Sequence, residues 1–166
     1  MKTLLILRHG KSSWDDPVLR DAERPLLKKG QQRTQLIADF ISEHQLNPEL
    51  IISSPAVRAY ETAKIIANSL GYPTEAIQKN NDLYFVDKEK YSEAVYVASD
   101  EINTLMIVGH NPMITEFCNM FLADRIDHLS TSGLCVIKLD TNTWTELHSC
   151  KSAFLHFVSP KKLAQE

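Results

Sequence analysis

Apolar positions along the chain follow two alternating periods. Residues 3–7 form a short unbroken run, Thr3 to Leu7, as expected of a strand buried on both faces. Residues 29–43 switch to helical spacing, with Leu36, Ile37, Phe40 and Ile41 on one face and Gly30 near the start; Pro48 stops any continuation. Leu50 to Ser53 predicts a second buried strand. Pro55, at a first-turn position, opens a helix carrying Val57, Tyr60, Ala63, Ile66 and Ala67, and Gly71 and Pro73 close it. A loose stretch at 79–82 precedes a helix over 88–98. The run 104–108 is the clearest strand and passes directly into Gly109, His110, Asn111 and Pro112, which places a turn at its carboxyl end. A helix over 114–121 follows, then a hairpin of 134–139 with 143–148, antiparallel to the rest. The basic tail from Lys161 reads as a frayed terminus.

Strands alternating with helices predict an α/β fold: a three-layer α/β/α sandwich around a mainly parallel sheet with an antiparallel edge. The 166 residues, 43% hydrophobic and 23% charged, are read as one domain over 1–166, without linker, repeat or cap insertion. Eighteen Lys and Arg against 21 Asp and Glu leave a net charge of -3, which offers a polyanion no broad attraction and argues against nucleic acid. Cys118, Cys135 and Cys150 have no CxxC spacing, so they are expected to be reduced thiols rather than a disulfide framework or zinc knuckle. No run approaches the roughly 20 apolar residues of a membrane span, and Leu4 to Leu7 is too short for a signal core. A cytoplasmic protein is expected, with no membrane partner, and a monomer for want of a further hydrophobic face.

Each of three strand ends carries residues suited to phosphate: Arg8, His9 and Gly10; Ser53, Ser54, Pro55 and Arg58; Gly109, His110 and Asn111. In open α/β sheets ligands bind beyond the carboxyl ends of the strands, so these segments are expected to converge on one crevice. An arginine fork matches phosphate oxygens, and a neutral imidazole is a nucleophile near pH 7. The cluster suits phosphoryl transfer to an imidazole nitrogen, where catalysis is alignment and cationic clamping. No metal or other cofactor is needed. Zinc on His9 and His110 would lack a third ligand and meet repelling arginines.

With these residues in view, Leu7-Arg8-His9-Gly10 resembles the RHG signature of the histidine phosphatase superfamily, a phosphoglycerate mutase-like fold. Ser53-Ser54-Pro55 with Arg58, Glu61 and Thr62 is similar to its second motif, and Gly109-His110 to its third. Lys11-Ser12-Ser13-Trp14, Asp21, Arg24-Pro25-Leu26 and Gly30 resemble more narrowly the SixA-type phosphohistidine phosphatases. The resemblance implies that His9 is the nucleophile, that Arg8 and Arg58 grip the phosphoryl group, and that His110 hydrogen-bonds it. It assigns Arg24 as a further phosphate contact, and Gly10 is placed with it on the substrate side. Many members carry a glutamate between the second and third motifs as general acid. Here the equivalent stretch reads Asn81-Asp82-Leu83-Tyr84-Phe85, with Asp82 as the available substitute.

That gap favours a leaving group that brings its own proton. Phosphohistidine does so through its other ring nitrogen, whereas an alkoxide needs an acid. The expected function is hydrolysis of phosphohistidine on a protein in signal transduction, through a phosphorylated His9, with inorganic phosphate as product. Two alternatives are a phosphatase of small phosphate esters using Asp82, and a weakly catalytic module that docks on phosphoproteins. Elsewhere Trp14 is expected to pack under its loop rather than lean over the substrate, Ser54 to cap a helix, and Asn111 and Pro112 to set a turn. His44, His128, His148 and His156 are read as surface or packing residues.

Overall fold

The apolar runs enter one sheet of six strands: β1 (Lys2–Arg8), β2 (Leu50–Ser53), β3 (Gln78–Lys79), β4 (Thr104–Gly109), β5 (Leu134–Leu139) and β6 (Ser152–Val158). The computed structural model describes residues 1–165. Spatial order is β3-β2-β4-β1-β5-β6. The first four strands pair in parallel; β5 runs antiparallel to β1, and β6 antiparallel to β5. The expected α/β sandwich with an antiparallel edge is what the chain adopts.

Alternation along the strands divides the core into two layers. Leu4, Ile6, Leu105, Ile107 and Ile137 face α3 (Lys88–Tyr96) and α4 (Met113–Asn119). Leu5, Leu7, Ile51, Met106 and Val108 face α1 (Lys28–Glu43) and α2 (Val57–Leu70). Leu5, Ile6, Met106 and Ile107 are fully buried, and each such side chain contributes about 1.5–3 kcal/mol. The strands that carry the candidate site are therefore rooted in the most tightly held part of the molecule.

β1 and β4 are neighbours in register, Arg8 opposite Gly109. The helix after β1 lies on one face and the helix after β4 on the other, so a crevice opens where the connections diverge. Gly71 closes α2 in the left-handed conformation at φ 70°, as its position after the last apolar residue predicts.

Four expectations need correction. Residues 143–148 are not a strand: Trp144–Glu146 is a single 3-10 turn. Trp144 is fully buried, with Nε1 donating to the Ile102 carbonyl at 3.0 Å. A three-residue step to the equally buried Leu147 suits such a turn better than a two-residue alternation. The partner of β5 is instead Ser152–Val158, whose outer half is exposed. The loose stretch is ordered: it runs from the last residue of β3 into the 3-10 turn Asn81–Leu83. The tail is not frayed at Lys161: α5 (Pro160–Leu163) is capped by Ser159 Oγ, which accepts from Lys162 N at 3.3 Å, and Leu163 packs on the core. No helix among the described residues is long and apolar enough to cross a membrane.

Candidate active site

Arg8 ends β1 and His9 follows it; His110 follows β4; Arg58 stands in the first turn of α2, just beyond β2. Three strand ends thus meet around an open cleft of about 400 Å³, lined also by Lys11, Ser12, Trp14, Asp21, Arg24, Phe85, Asn111 and Thr131. The His9 and His110 rings lie 5.1 Å apart between centroids.

The local sequence sets how each ring sits. His9 Nδ1 is 2.7 Å from the Gly10 carbonyl. A carbonyl only accepts, so Nδ1 carries the proton and Nε2 keeps its lone pair. The Gly10 amide donates to Thr62 Oγ1 at 2.9 Å, and Thr62 in turn bonds the Arg58 carbonyl at 2.7 Å. A side chain at Gly10 would meet Thr34, Leu26 and Ser132 at 3.0–3.1 Å, so glycine is needed for space. Gly10 therefore acts on His9 and is not among the residues lining the cleft, contrary to its expected place on the substrate side. At Gly109 a Cβ would sit 2.0 Å from the Tyr91 hydroxyl. Its absence lets that oxygen accept from the His110 amide at 3.0 Å.

The cations are held from behind. Arg58 donates from Nη1 to the Asp21 carbonyl at 2.7 Å and from Nη2 to its carboxylate at 2.9 Å. Arg24 bonds Ser12 Oγ at 2.8 Å, approaches Asp21 Oδ1 at 3.4 Å, and lies 3.3 Å from the centre of the Trp14 ring. Arg8 donates to the Leu129 carbonyl at 3.0 Å. After these bonds, Arg8 Nε, Arg24 Nη1, Arg58 Nε and His110 Nδ1 remain buried without a partner among the described residues. Leaving each such group unmade costs about 1–3 kcal/mol. Three guanidinium groups and Lys11 face a single carboxylate along the cleft, an excess of positive charge that a dianion with several acceptor oxygens would balance.

The same surroundings keep both imidazoles neutral. Burial, with Arg58, Arg8 and Arg24 adding to it against the Gly10 bond, lowers the pKa of His9 to about 3. Burial, then His9 and Arg58, lowers that of His110 to about 3. Burial raises the Asp21 carboxyl, but hydrogen bonds from Tyr84 and Arg58 and the two nearby guanidinium charges outweigh it, so it lies below the ordinary value. The Tyr84 hydroxyl donates to Asp21 Oδ2 at 2.6 Å.

The structure thus brings Arg8, His9, Arg24, Arg58 and His110 to one cleft and leaves Asp82 out. Asp82 is exposed in its 3-10 turn, its amide tied to Asn80 Oδ1 at 2.9 Å. That turn directs Leu83 into the core, so Tyr84 and Phe85 are what reach the site. Trp14 does not pack under its loop: it is 78% exposed and covers Arg24 from outside. Ser54 does not cap α2, whose first flanking residue is Ala56; its hydroxyl is 2.7 Å from His110 Nε2. Asn111 does hold the turn after β4, from Nδ2 to the Leu129 carbonyl at 3.0 Å and through Oδ1 to Thr115. Asp21 stood in the narrower motif, but nothing in the chain's pattern marked Tyr84 as its partner.

A family model described as histidine phosphatase superfamily (branch 1) matches residues 4–96. An uncharacterized protein of Picosynechococcus sp. is 39% identical over 168 residues, covering 96% of this chain and 98% of that protein. Phosphohistidine phosphatase SixA of Escherichia coli is 23% identical over 146 residues, 82% of this chain and 85% of that one. Among solved structures, the protein histidine phosphatase SixA complexed with tungstate is similar at a TM-score of 0.82, with 21% identity over 97% of this chain and 99% of that one. A protein provisionally assigned as phosphohistidine phosphatase SixA from Agrobacterium tumefaciens is similar at a TM-score of 0.82, with 25% identity over 96% of this chain and 98% of that one. On the family match, which spans more than half of its residues, the chain belongs to the histidine phosphatase superfamily, branch 1.

Proposed function

We propose that this member hydrolyses phosphohistidine on a partner protein, in two steps, with His9 as nucleophile. In the first step the Nε2 lone pair of His9 attacks phosphorus in line while Arg8, Arg24, Arg58 and His110 hold the three equatorial oxygens. A P–N bond forms to His9 as the P–N bond to the substrate imidazole breaks. The leaving ring departs neutral because its other nitrogen already carries a proton. In the second step water attacks the phosphorus carried by His9; the P–N bond breaks, its electron pair returns to Nε2, and both protons of the water leave with the released phosphate. One P–N bond replaces another in the first step, so little acid assistance is required.

One observation carries the choice of leaving group. Among the described residues lining the cleft, the sole carboxyl group is Asp21, and the arginines and Tyr84 hold it ionised. A site without a protonated carboxyl to act as general acid serves an imidazole far better than an alkoxide. Asp82, required by the ester alternative, lies outside the cleft. The site's mouth supports a protein substrate: Trp14 and Phe85, 78% and 66% exposed, both line the cleft and offer apolar area to a docking surface.

The test compares phosphate release from a phosphohistidine protein and from an alkyl phosphomonoester at equal concentration. Release from the first at a much higher kcat/KM is expected, together with acid-labile, base-stable phosphate on the enzyme during turnover. Equal or faster ester hydrolysis would remove the phosphohistidine reading. Tight binding of the phosphoprotein without release would favour a docking module instead.

A further inference from the structure

The bond between Ser54 and His110 has a consequence for which nitrogen of His110 can face a substrate. Ser54 follows β2 and is fully buried. Its backbone amide donates to the Val108 carbonyl on the neighbouring β4 at 3.0 Å. Its hydroxyl oxygen lies 2.7 Å from His110 Nε2 and accepts from the Ala56 amide at 3.3 Å. Counting donors decides the direction of the short bond. A hydroxyl has one proton to give, and the Ala56 amide is itself a donor, so the one acceptor within reach of that proton is His110 Nε2. The reverse arrangement, with Nε2–H donating, would strand the serine proton in a buried place at a cost of about 1–3 kcal/mol.

We propose that Ser54 is a positioning residue that selects the Nδ1–H tautomer of His110, so that a neutral ring presents a proton to a phosphoryl oxygen. His110 Nδ1 is buried, without a protein partner, on a ring that lines the cleft 5.1 Å from the His9 ring. With the proton on Nε2 instead, Nδ1 would turn a lone pair toward an anionic oxygen, and the contact would repel. An imidazolium would escape this problem, but burial and the arginines oppose it. The serine therefore does for His110 what the Gly10 carbonyl does for His9, with the opposite result for Nε2. On His9 an acceptor fixes the proton to Nδ1 and frees Nε2 to attack; on His110 a donor occupies Nε2 and leaves Nδ1–H to hold.

The inference takes its phosphoryl ligand from the proposed function, yet its primary test needs no phosphohistidine. Nitrogen-15 NMR of histidine-labelled protein, with His110 assigned by comparison with His110→Asn, is expected to show a protonated Nδ1 and an unprotonated Nε2 near neutral pH in the unliganded enzyme. In Ser54→Ala the Nε2–H form is expected to appear. Binding of tungstate, a tetrahedral dianion, should weaken, and kcat/KM should fall about 10- to 100-fold, the scale on which removing the partner that orients a metal-ligating histidine acts. Ser54→Thr, which keeps the hydroxyl, should restore the tautomer and most of the tungstate affinity. An Nε2–H ring in the wild type overturns the proposal even if no Ser54 variant folds. So does a Ser54→Ala protein with unchanged tautomer and tungstate affinity. An enzyme with the expected tautomer that leaves phosphohistidine intact would instead count against the proposed substrate alone.

Discussion

Two histidine pairs stand at nearly the same spacing in this molecule, and they have little else in common. His9 and His110 are 5.1 Å apart between ring centroids; His44 and His156 are 5.2 Å apart, edge to face, beside Phe40. In the second pair His44 is exposed and its Nδ1 meets the Phe40 carbonyl at 2.9 Å. The pKa of His156 is lowered by partial burial and by His44, while among the described residues no arginine bonds either ring. In the first pair both rings are at least nine-tenths buried at strand ends, each is oriented by one hydrogen bond, and unpartnered arginine nitrogens surround them. Proximity of imidazoles is common in a packed protein. What distinguishes a candidate phosphoryl site is burial combined with unspent donors and an excess of cations.

The sharpest way to break this contrast is to remove one ring from each pair. His9→Ala is expected to lower turnover of a phosphohistidine protein by about 10⁴-fold or more, the scale of losing a nucleophile, and to abolish acid-labile labelling. Labelling that persists in that variant would place the intermediate elsewhere. Next in size is Arg58→Ala, which removes a clamp and should lower kcat about 100- to 1,000-fold. Because Arg58 also bonds Asp21 from a buried position, Tm is recorded alongside, and an equal activity in the folded variant would deny it a place in the clamp. Arg58→Lys should rescue little, since one ammonium cannot hold Asp21 twice and still reach an oxygen.

The pH dependence sharpens the same comparison. Both site histidines have folded pKa values near 3 against 6.5 unfolded, so between these limits the unfolded chain binds more protons. Stability is therefore unaffected by them above pH 6.5 and falls as pH drops from 6.5 toward 3. Tm should decline on acidification from pH 7 to 5, and His110→Asn should decline less. A variant with the wild-type slope would mean that His110 titrates normally. In the free enzyme, kcat/KM should show no acid limb at 6.5 attributable to His9. The smallest effects are expected away from the cleft: His44→Ala and Asp82→Asn should each change kcat/KM by no more than about twofold. A large loss in Asp82→Asn on an ester substrate would revive it as an acid.

Much of the fold was legible because buried parallel strands are written as unbroken apolar runs, as in Leu4 to Leu7 and Leu105 to Val108. The edge was harder to read. Ser152–Val158 exposes its outer half and has one side without a strand neighbour, so its pattern is diluted, while Trp144 and Leu147 lent a strand-like look to a 3-10 turn. Within the site, Arg8, His9, Arg24, Arg58 and His110 were marked by their place after strands or within motifs. Ser54 was misread because a serine before a proline is an ordinary cap, and a tie to a ring 56 residues away leaves no local trace. Tyr84 was overlooked for a like reason, since its partner Asp21 is 63 residues distant.

Taken by itself, the order of residues determined the strands, the helices and the side chains each strand end would offer, because these follow from local periodicity and turn chemistry. The packing of β4 between β1 and β2 decided the rest: which imidazole nitrogen is free, which arginine nitrogens go unpaired, and that Asp82 faces water while Asp21 anchors two cations. Those outcomes depend on distances between segments that only the closed sheet brings together, and on the burial that makes an unmade hydrogen bond costly.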